Sequence, residues 1–282
     1  MRPFVKWVGG KQRSLKHLLP LIPHDFRRYH EPFLGGGAVF LALAERGTFD
    51  GKPRPFLSDW NFTLVETWKQ LRDFPEETME FLADFQEEDS KELFHFLRRR
   101  FNDHHPDDEG CWHPGEYAAT FVYLNRAGYN GLFRVNQQGE FNGPFSGNRT
   151  LGRNICPVES LNTTAYHLGD TGARLRRLPY YSALDLVEDG DFAYLDPPYH
   201  GTYTNYTFPS FTEKDQIRLA QKVWECADRG AKVIVSNSDT PLIRELYEGF
   251  RIVETTRVNS INSNASDRSA KRDLTICSWS SS

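Results

Sequence analysis

Tyr194-Leu195-Asp196-Pro197-Pro198-Tyr199 ends an apolar run at an acid, two prolines and a tyrosine. Together with Asp191-Phe192-Ala193 before it, the run reads as a buried β-strand. Consecutive prolines cannot continue a hydrogen-bonded ladder and hold the chain extended, so the strand must stop there with its carbonyls pointing out of the sheet. In open α/β sheets that carboxyl edge is where ligands bind. Asp196 and the carbonyl of Pro197 then become two acceptors fixed close together, and Tyr199 offers a flat face beside them. This suits a planar ring bearing an amine: the acceptors take its two N–H hydrogens, the aromatic stacks, and the lone pair, freed from conjugation, can attack an electrophile. The plain structural alternative is a strand exit stiffened by proline.

Outward from this stretch the chain alternates extended and helical patterns. Residues 29–33 (YHEPF) read as a strand, 38–47 (AVFLALAERG) as a helix closed by Gly47, and 54–60 (RPFLSDW) as a second strand. The rhythm returns at 180–183 (YYSA), read as extended, and 191–195 (DFAYL). There follow a helix over 211–230, a strand over 231–237 (AKVIVSN), a helix over 239–249, and a final pair, 250–258 and 274–279. Strands separated by helices imply an α/β fold with a doubly wound, mostly parallel sheet and an antiparallel edge at its end. Between the halves, residues 62–103 carry apolar positions at helical spacing and nine acids over 73–92 against only Lys91. This predicts a helical insertion with a solvated acidic face.

Glu31-Pro32-Phe33-Leu34-Gly35-Gly36-Gly37 lies between a predicted strand and helix, where glycines let backbone approach a ligand at a helix N-terminus. Asp59, about twenty residues on, ends the next strand, the place where α/β nucleotide binders put a carboxylate for ribose hydroxyls. A tight turn and an acidic loop residue are the alternative. The dinucleotide spacing G-x-G-x-x-G is absent. Phe4-Val5-Lys6-Trp7-Val8-Gly9-Gly10-Lys11 places two lysines and an indole around a Gly-Gly pair, which reads as an N-terminal turn or as a cradle for an anionic or aromatic ligand.

The hairpin pattern over 129–145 turns at Asn136-Gln137-Gln138-Gly139 and carries Asn130, Arg134, Asn136 and Asn142 around exposed-looking aromatics. A β-ribbon with Arg and Asn can enter a major groove, Arg matching guanine and Asn adenine; a surface hairpin is the alternative. His104, His105, Cys111 and His113 are metal-capable but lack regular zinc-ligand spacing, and no metal is expected.

The net charge of −4 argues by itself against a nucleic-acid partner. Its distribution reopens the question, because residues 1–30 and 251–272 are both basic while the middle holds the acid. Four scattered cysteines and the lack of an apolar leader or membrane-length run point to a cytoplasmic protein without disulfides, and no obligate protein partner is implied.

In this order, KWVGGK, EPFLGGG, SDWN, YNGLFRVNQQGEFNGPF and LDPPY resemble the DNA adenine-N6 methyltransferases of the Dam family (D12 class). The resemblance implies a class I methyltransferase fold in two parts, residues 1–61 and 161–282, with a target-recognition domain over 62–160. It implies S-adenosylmethionine as cofactor, double-stranded DNA as partner and adenine in GATC as target. Trp7, Lys11, Phe33, Gly35, Gly37, Asp59 and Asp196 would line the cofactor site. Asp196, Pro197, Pro198 and Tyr199 would hold a flipped adenine. Lys6 and Arg134 match guanine readers, Tyr129 matches a residue inserted into the base stack, and Asn130, Leu132 and Pro144 match positions near bases and phosphates. Ser260-Ile261-Asn262-Ser263-Asn264, with Lys271 and Arg272, resembles a basic loop close to the active site. The rival readings are a DNA-binding scaffold without catalysis and an amine methyltransferase acting on RNA or protein.

Overall fold

The computed structural model describes residues 3–131, 133–146, 154–201, 211–257 and 271–280. Its strands are β1 (Tyr29–Glu31), β2 (Phe56–Asp59), β3 (Arg174–Arg177), β4 (Phe192–Leu195), β5 (Lys232–Ser238), β6 (Arg251–Arg257) and β7 (Lys271–Cys277). They form one sheet in the order β3-β2-β1-β4-β5-β7-β6. The first five are parallel, and β7 runs antiparallel between β5 and β6. The antiparallel pair was expected; that LTICSW inserts between two strands and leaves β6 at the edge was not.

Alternation along the strands sorts the core onto two faces. Phe192, Tyr194 and Ile234 join one buried cluster, while Ala193, Leu195, Val233 and Val235 join the other. The helices are α1 (Leu15–Leu18), α2 (Ala38–Ala44), α3 (Phe62–Asp73), α4 (Pro75–Glu87), α5 (Lys91–Asp103), α6 (Glu116–Ala127), α7 (Val158–Asp170), α8 (Tyr180–Leu184), α9 (Glu213–Asp228) and α10 (Pro241–Leu246). Helix α3 lies on β2 and β3, α9 on β5, and α8 and α10 on α9. Helices on both faces make this the doubly wound class I methyltransferase fold.

Local chemistry explains the helix boundaries. Asn61 caps α3 through the Leu64 amide, Ser90 caps α5 through Leu93, and Thr212 and Asp215 form a capping box on α9. Pro75 starts α4, whose Glu76, Glu77, Glu80, Asp84 and Glu87 are exposed, as the acidic pattern predicts. Helices α4 and α5 pack on α6, and the first cluster continues from the sheet into them.

Two sequence readings are corrected. Residues 180–183 (YYSA) belong to helix α8, not to a strand; the third strand is the charged 174–177 (RLRR), of which only Leu175 is buried. Position beside β2 fixes that strand, and its sequence carries little apolar pattern. The hairpin has no regular ladder among the described residues. It is joined at Gly128–Phe145 and Val135–Phe141, with Asn136 accepting the Gln138 and Glu140 amides to form the turn.

Candidate active site

The sheet order reverses between β1 and β4, and the site forms at the carboxyl ends of these two strands, the expected crevice of an open α/β sheet. Past β1 the chain turns through Gly35 and Gly37, with φ of +49° and +63°. This left-handed region suits glycine. A Cβ on Gly35 would lie 2.8 Å from the Trp7 indole, and one on Gly37 would lie 2.5 Å from Trp68. The Trp68 indole N–H also donates to the Gly35 carbonyl at 3.2 Å. Two tryptophans therefore floor the turn, and neither position has room for a side chain.

Asp59, at the end of β2, accepts the Gly35 amide at 3.0 Å and the Asn61 amide at 2.9 Å. Burial raises its pKa while these amides oppose the rise. Glu31 is buried and accepts the Tyr29 hydroxyl at 2.7 Å and the Phe40 amide at 3.1 Å. Burial pushes Glu31 up to about 8, against those two bonds and with help from the charges of Asp196 and Asp59. The fields of three carboxylates thus overlap in one crevice. Phe33 stacks on Tyr180 with centroids 5.5 Å apart and meets Phe211 edge-on at 6.0 Å, forming an aromatic wall.

At the end of β4, Asp196 pairs with the Lys11 ammonium at 2.6 Å. The same ammonium sits 4.8 Å from the centre of the Tyr199 ring and donates to the Gly9 carbonyl at 3.0 Å. Burial opposes the charge on Lys11, but Asp196 and Tyr199 outweigh it and raise its pKa. Burial and Asp196 lift Tyr199 to about 12. The proline turn is held from below: Gln216 donates to the Pro198 carbonyl at 2.8 Å, and Asn237 donates to Gln216 at 3.0 Å while accepting the His200 amide at 3.0 Å. Gln216 and Asn237 are both buried, and the sequence reading missed both. The available signal was a polar Asn237 closing the apolar strand AKVIVSN.

A profile of the D12 class N6 adenine-specific DNA methyltransferases matches residues 7–261. The chain belongs to this family. It is 34% identical over 272 residues to type II methyltransferase M1.LlaDCHI of Lactococcus lactis subsp. cremoris, covering 94% of this chain and 92% of the relative. It is 31% identical to type II methyltransferase M.MjaIII of Methanocaldococcus jannaschii, covering 93% of each. It is 30% identical to the DNA adenine methylase of Escherichia coli K12, covering 97% and 94%.

In this D12 methyltransferase the hairpin is joined to the N-terminal segment by one buried amide. Asn125 of α6 accepts the Lys6 amide at 2.8 Å and donates to the carbonyls of Lys6 and Gly131, each at 2.9 Å. The Lys6 side chain runs against Gly131, where a Cβ would lie 2.2 Å from it, and Trp7 stacks on Phe133 at 5.9 Å. Tyr129 is 60% exposed, and its amide donates to the Pro144 carbonyl at 2.9 Å. Asn130 (φ +57°), Arg134 and Pro144 are exposed beside it. Leu132, the stretch 260–264 and the side chain of Lys271 lie outside the described residues; Arg272 is exposed.

The expectation of exposed hairpin aromatics is corrected. Phe141 is buried, and Phe133 and Phe145 pack on the core, so Tyr129 is the one that projects. Sequence reading also missed a mostly basic face on α5, where Lys91, His95, Arg98 and Arg99, with Glu92 among them, line an open groove and Arg98 donates to the hairpin carbonyl of Gly143 at 3.3 Å. No described helix is long and apolar enough to cross a membrane.

Proposed function

We propose that this DNA adenine methyltransferase transfers the methyl group of S-adenosylmethionine to N6 of an adenine extruded from duplex DNA, within GATC. The observation that carries the reading is the convergence of the Asp196 carboxylate and the Tyr199 ring on one ammonium, at the strand ends that also carry the glycine turn and Asp59. The residues fit the cofactor's charge. Glu31, Asp59 and Asp196 face one crevice; burial, with smaller help from the charges of Asp196 and Asp59, holds a proton on Glu31 near neutrality, and a cationic ligand suits the carboxylates beside it.

When bound, the cofactor supplies an electrophilic methyl group on a sulfonium. Asp59 accepts hydrogen bonds from its ribose hydroxyls, and Trp7, Lys11, Phe33, Gly35 and Gly37 enclose it. Asp196 and the Pro197 carbonyl accept the N6 hydrogens of adenine, Tyr199 stacks on its ring, and Pro198 keeps the turn rigid through Gln216. These acceptors favour the positive charge that develops on N6, and orientation supplies much of the rate. Asp196 need not be a strong base, because the proton can leave after the methyl arrives. Extrusion costs a few kcal/mol, and stacking of about 1–3 kcal/mol per base at Tyr199 offsets it while Tyr129 fills the gap.

Residues 62–160 carry recognition in this reading. Lys6 and Arg134 each read a guanine, and Asn130, Leu132 and Pro144 contact bases or phosphates. The test is labelled S-adenosylmethionine with duplex DNA, followed by mapping of N6-methyladenine. Label confined to GATC supports the whole reading, and label at other adenines removes the specificity. Cofactor binding without any methylated adenine overturns the reading.

A further inference from the structure

The loop between α5 and α6 plays no part in the reaction proposed above, yet it gathers three different ligand groups. Sγ of Cys111 lies 3.5 Å from Nδ1 of His104, and that nitrogen lies 3.9 Å from Oδ2 of Asp108. No separation among the three ligand atoms exceeds 4.8 Å. A tetrahedral ion bound at roughly 2.3 Å to sulfur and 2.0–2.1 Å to nitrogen or oxygen sets its ligands roughly 3.3–3.6 Å apart. Small side-chain rotations close the difference.

The spacing 104, 108, 111 looks irregular in sequence, but successive turns account for it. Asp108 donates its amide to the His105 carbonyl at 3.0 Å, and Cys111 donates to the Asp108 carbonyl at 3.2 Å, which folds the loop back on itself. The ligands are also braced from outside. Arg100 donates to the Cys111 carbonyl at 2.5 Å, lies 4.3 Å over the Trp112 ring and is paired with Glu116, while Asp108 accepts the His105 amide at 2.7 Å. Such outer contacts orient metal ligands. Of the other histidines the sequence marks here, His105 stacks on Phe62 at 4.5 Å and His113 on Phe81 at 6.3 Å. Cys111 is also the one partly exposed thiol among four; the other three are buried.

We propose that His104, Asp108 and Cys111 form a zinc site separate from the methyl-transfer site. Imidazole, carboxylate and a single thiolate suit Zn²⁺, with water completing the tetrahedron. Binding releases the Cys111 thiol proton to solvent, and the ion ties the end of α5 to the loop that leads into α6. The site stands whether or not the proposed DNA reaction is correct.

The test uses the full-length protein, freed of metal by a chelator and titrated with Co²⁺. The expected result is a thiolate-to-cobalt charge-transfer band with visible bands of tetrahedral intensity, saturating at one equivalent and abolished by Zn²⁺. Cys111→Ser removes the charge-transfer band while circular dichroism stays unchanged. His104→Ala weakens Co²⁺ binding at least about tenfold, and His105→Ala keeps the band. A wild-type protein with no charge-transfer band overturns the proposal, as does a band that survives in Cys111→Ser or depends on His105 instead of His104.

Discussion

The Lys11 ammonium stands 2.6 Å from the Asp196 carboxylate and 4.8 Å from the centre of the Tyr199 ring, so one cation neutralises the acid and covers the aromatic that the proposed adenine must meet. An adenine stacked on that face of Tyr199 displaces it. Breaking a buried pair costs about 3–5 kcal/mol. Asp196 keeps 19% exposure, so Lys11→Met is expected to cost less, roughly 2–3 kcal/mol in urea denaturation. Asp196 raises the pKa of Lys11, and by the same coupling loss of the cation removes a charge that favours the ionised acid. The acid limb of the pH–rate profile should therefore move to higher pH, and an unmoved limb would remove Lys11 from the control of Asp196.

Asp196→Ala removes an acceptor from developing charge, and kcat should fall by about 10²–10³. Gln216→Ala is the more informative change. Among the described residues its side chain reaches the site through the Pro198 carbonyl and Asn237. Loosening the turn should lower kcat by about tenfold or more, with DNA affinity nearly unchanged. Equal losses in kcat and DNA affinity would mean that Gln216 acts on binding instead.

Gly37 has φ +63°, and a Cβ there would meet Trp68 at 2.5 Å. Left-handed backbone costs a non-glycine residue about 1–2 kcal/mol, and overpacking adds about 1–3 kcal/mol. Gly37→Ala should lose roughly 3 kcal/mol of stability and most of its cofactor affinity. Gly9→Ala, with φ +81° and open space around the added carbon, should show the backbone cost alone. Comparable melting temperatures for the two variants would contradict the indole floor.

Glu31 is lifted by burial to about 8 from its ordinary 4.5. The folded state therefore holds a proton that the unfolded chain releases. The stability this contributes is full below about pH 4.5, declines as pH rises, and is gone above about pH 8. Glu31→Gln keeps an oxygen for the Tyr29 and Phe40 donors, so its stability should fall less steeply across that window. Asp59, also raised by burial, slopes the same way and leaves the curve shallower without flattening it. Denaturant melts at several pH values decide the point, and parallel curves would count against a protonated Glu31.

The sheet was legible where the strands are apolar on both faces. Phe192 to Leu195 and Val233 to Val235 announce themselves, and the prolines at 197 and 198 mark where β4 stops. The strand 174–177 escaped because three of its four residues are arginines, placed by pairing with β2. The glycine turn, Asp59 and Asp196 could be picked out as candidates because glycines, prolines and lone acids at strand ends mark turns and edges, and the structure brings them to neighbouring strand ends. The supports of the site were hidden. Gln216 sits in a helix whose sequence is amphipathic, and Asn125 sits in one buried nearly all round, so neither shows its partner until α9 meets the proline turn and α6 meets the hairpin. The inward packing of Phe133 and Phe141 was equally unreadable, because the core they fill comes from α5 and α6.

Tyr129 and Arg134 separate two duties that the hairpin performs in the proposed reaction. Both are exposed, so replacing either should change stability by no more than about 0.5 kcal/mol. Arg134→Ala should cost about 1–3 kcal/mol of discrimination against a substituted guanine and leave turnover at saturating DNA largely intact. Tyr129→Ala should preserve sequence preference but slow the extrusion step, read as a weaker and slower fluorescence rise from 2-aminopurine at the target position. The contrast follows from chemistry: a guanidinium matches two acceptors on guanine, whereas a phenol ring only fills the space left by a departed base. If Arg134→Ala reduced methylation equally on every sequence, Arg134 would be a phosphate contact and the guanine reader would have to be sought elsewhere on the hairpin.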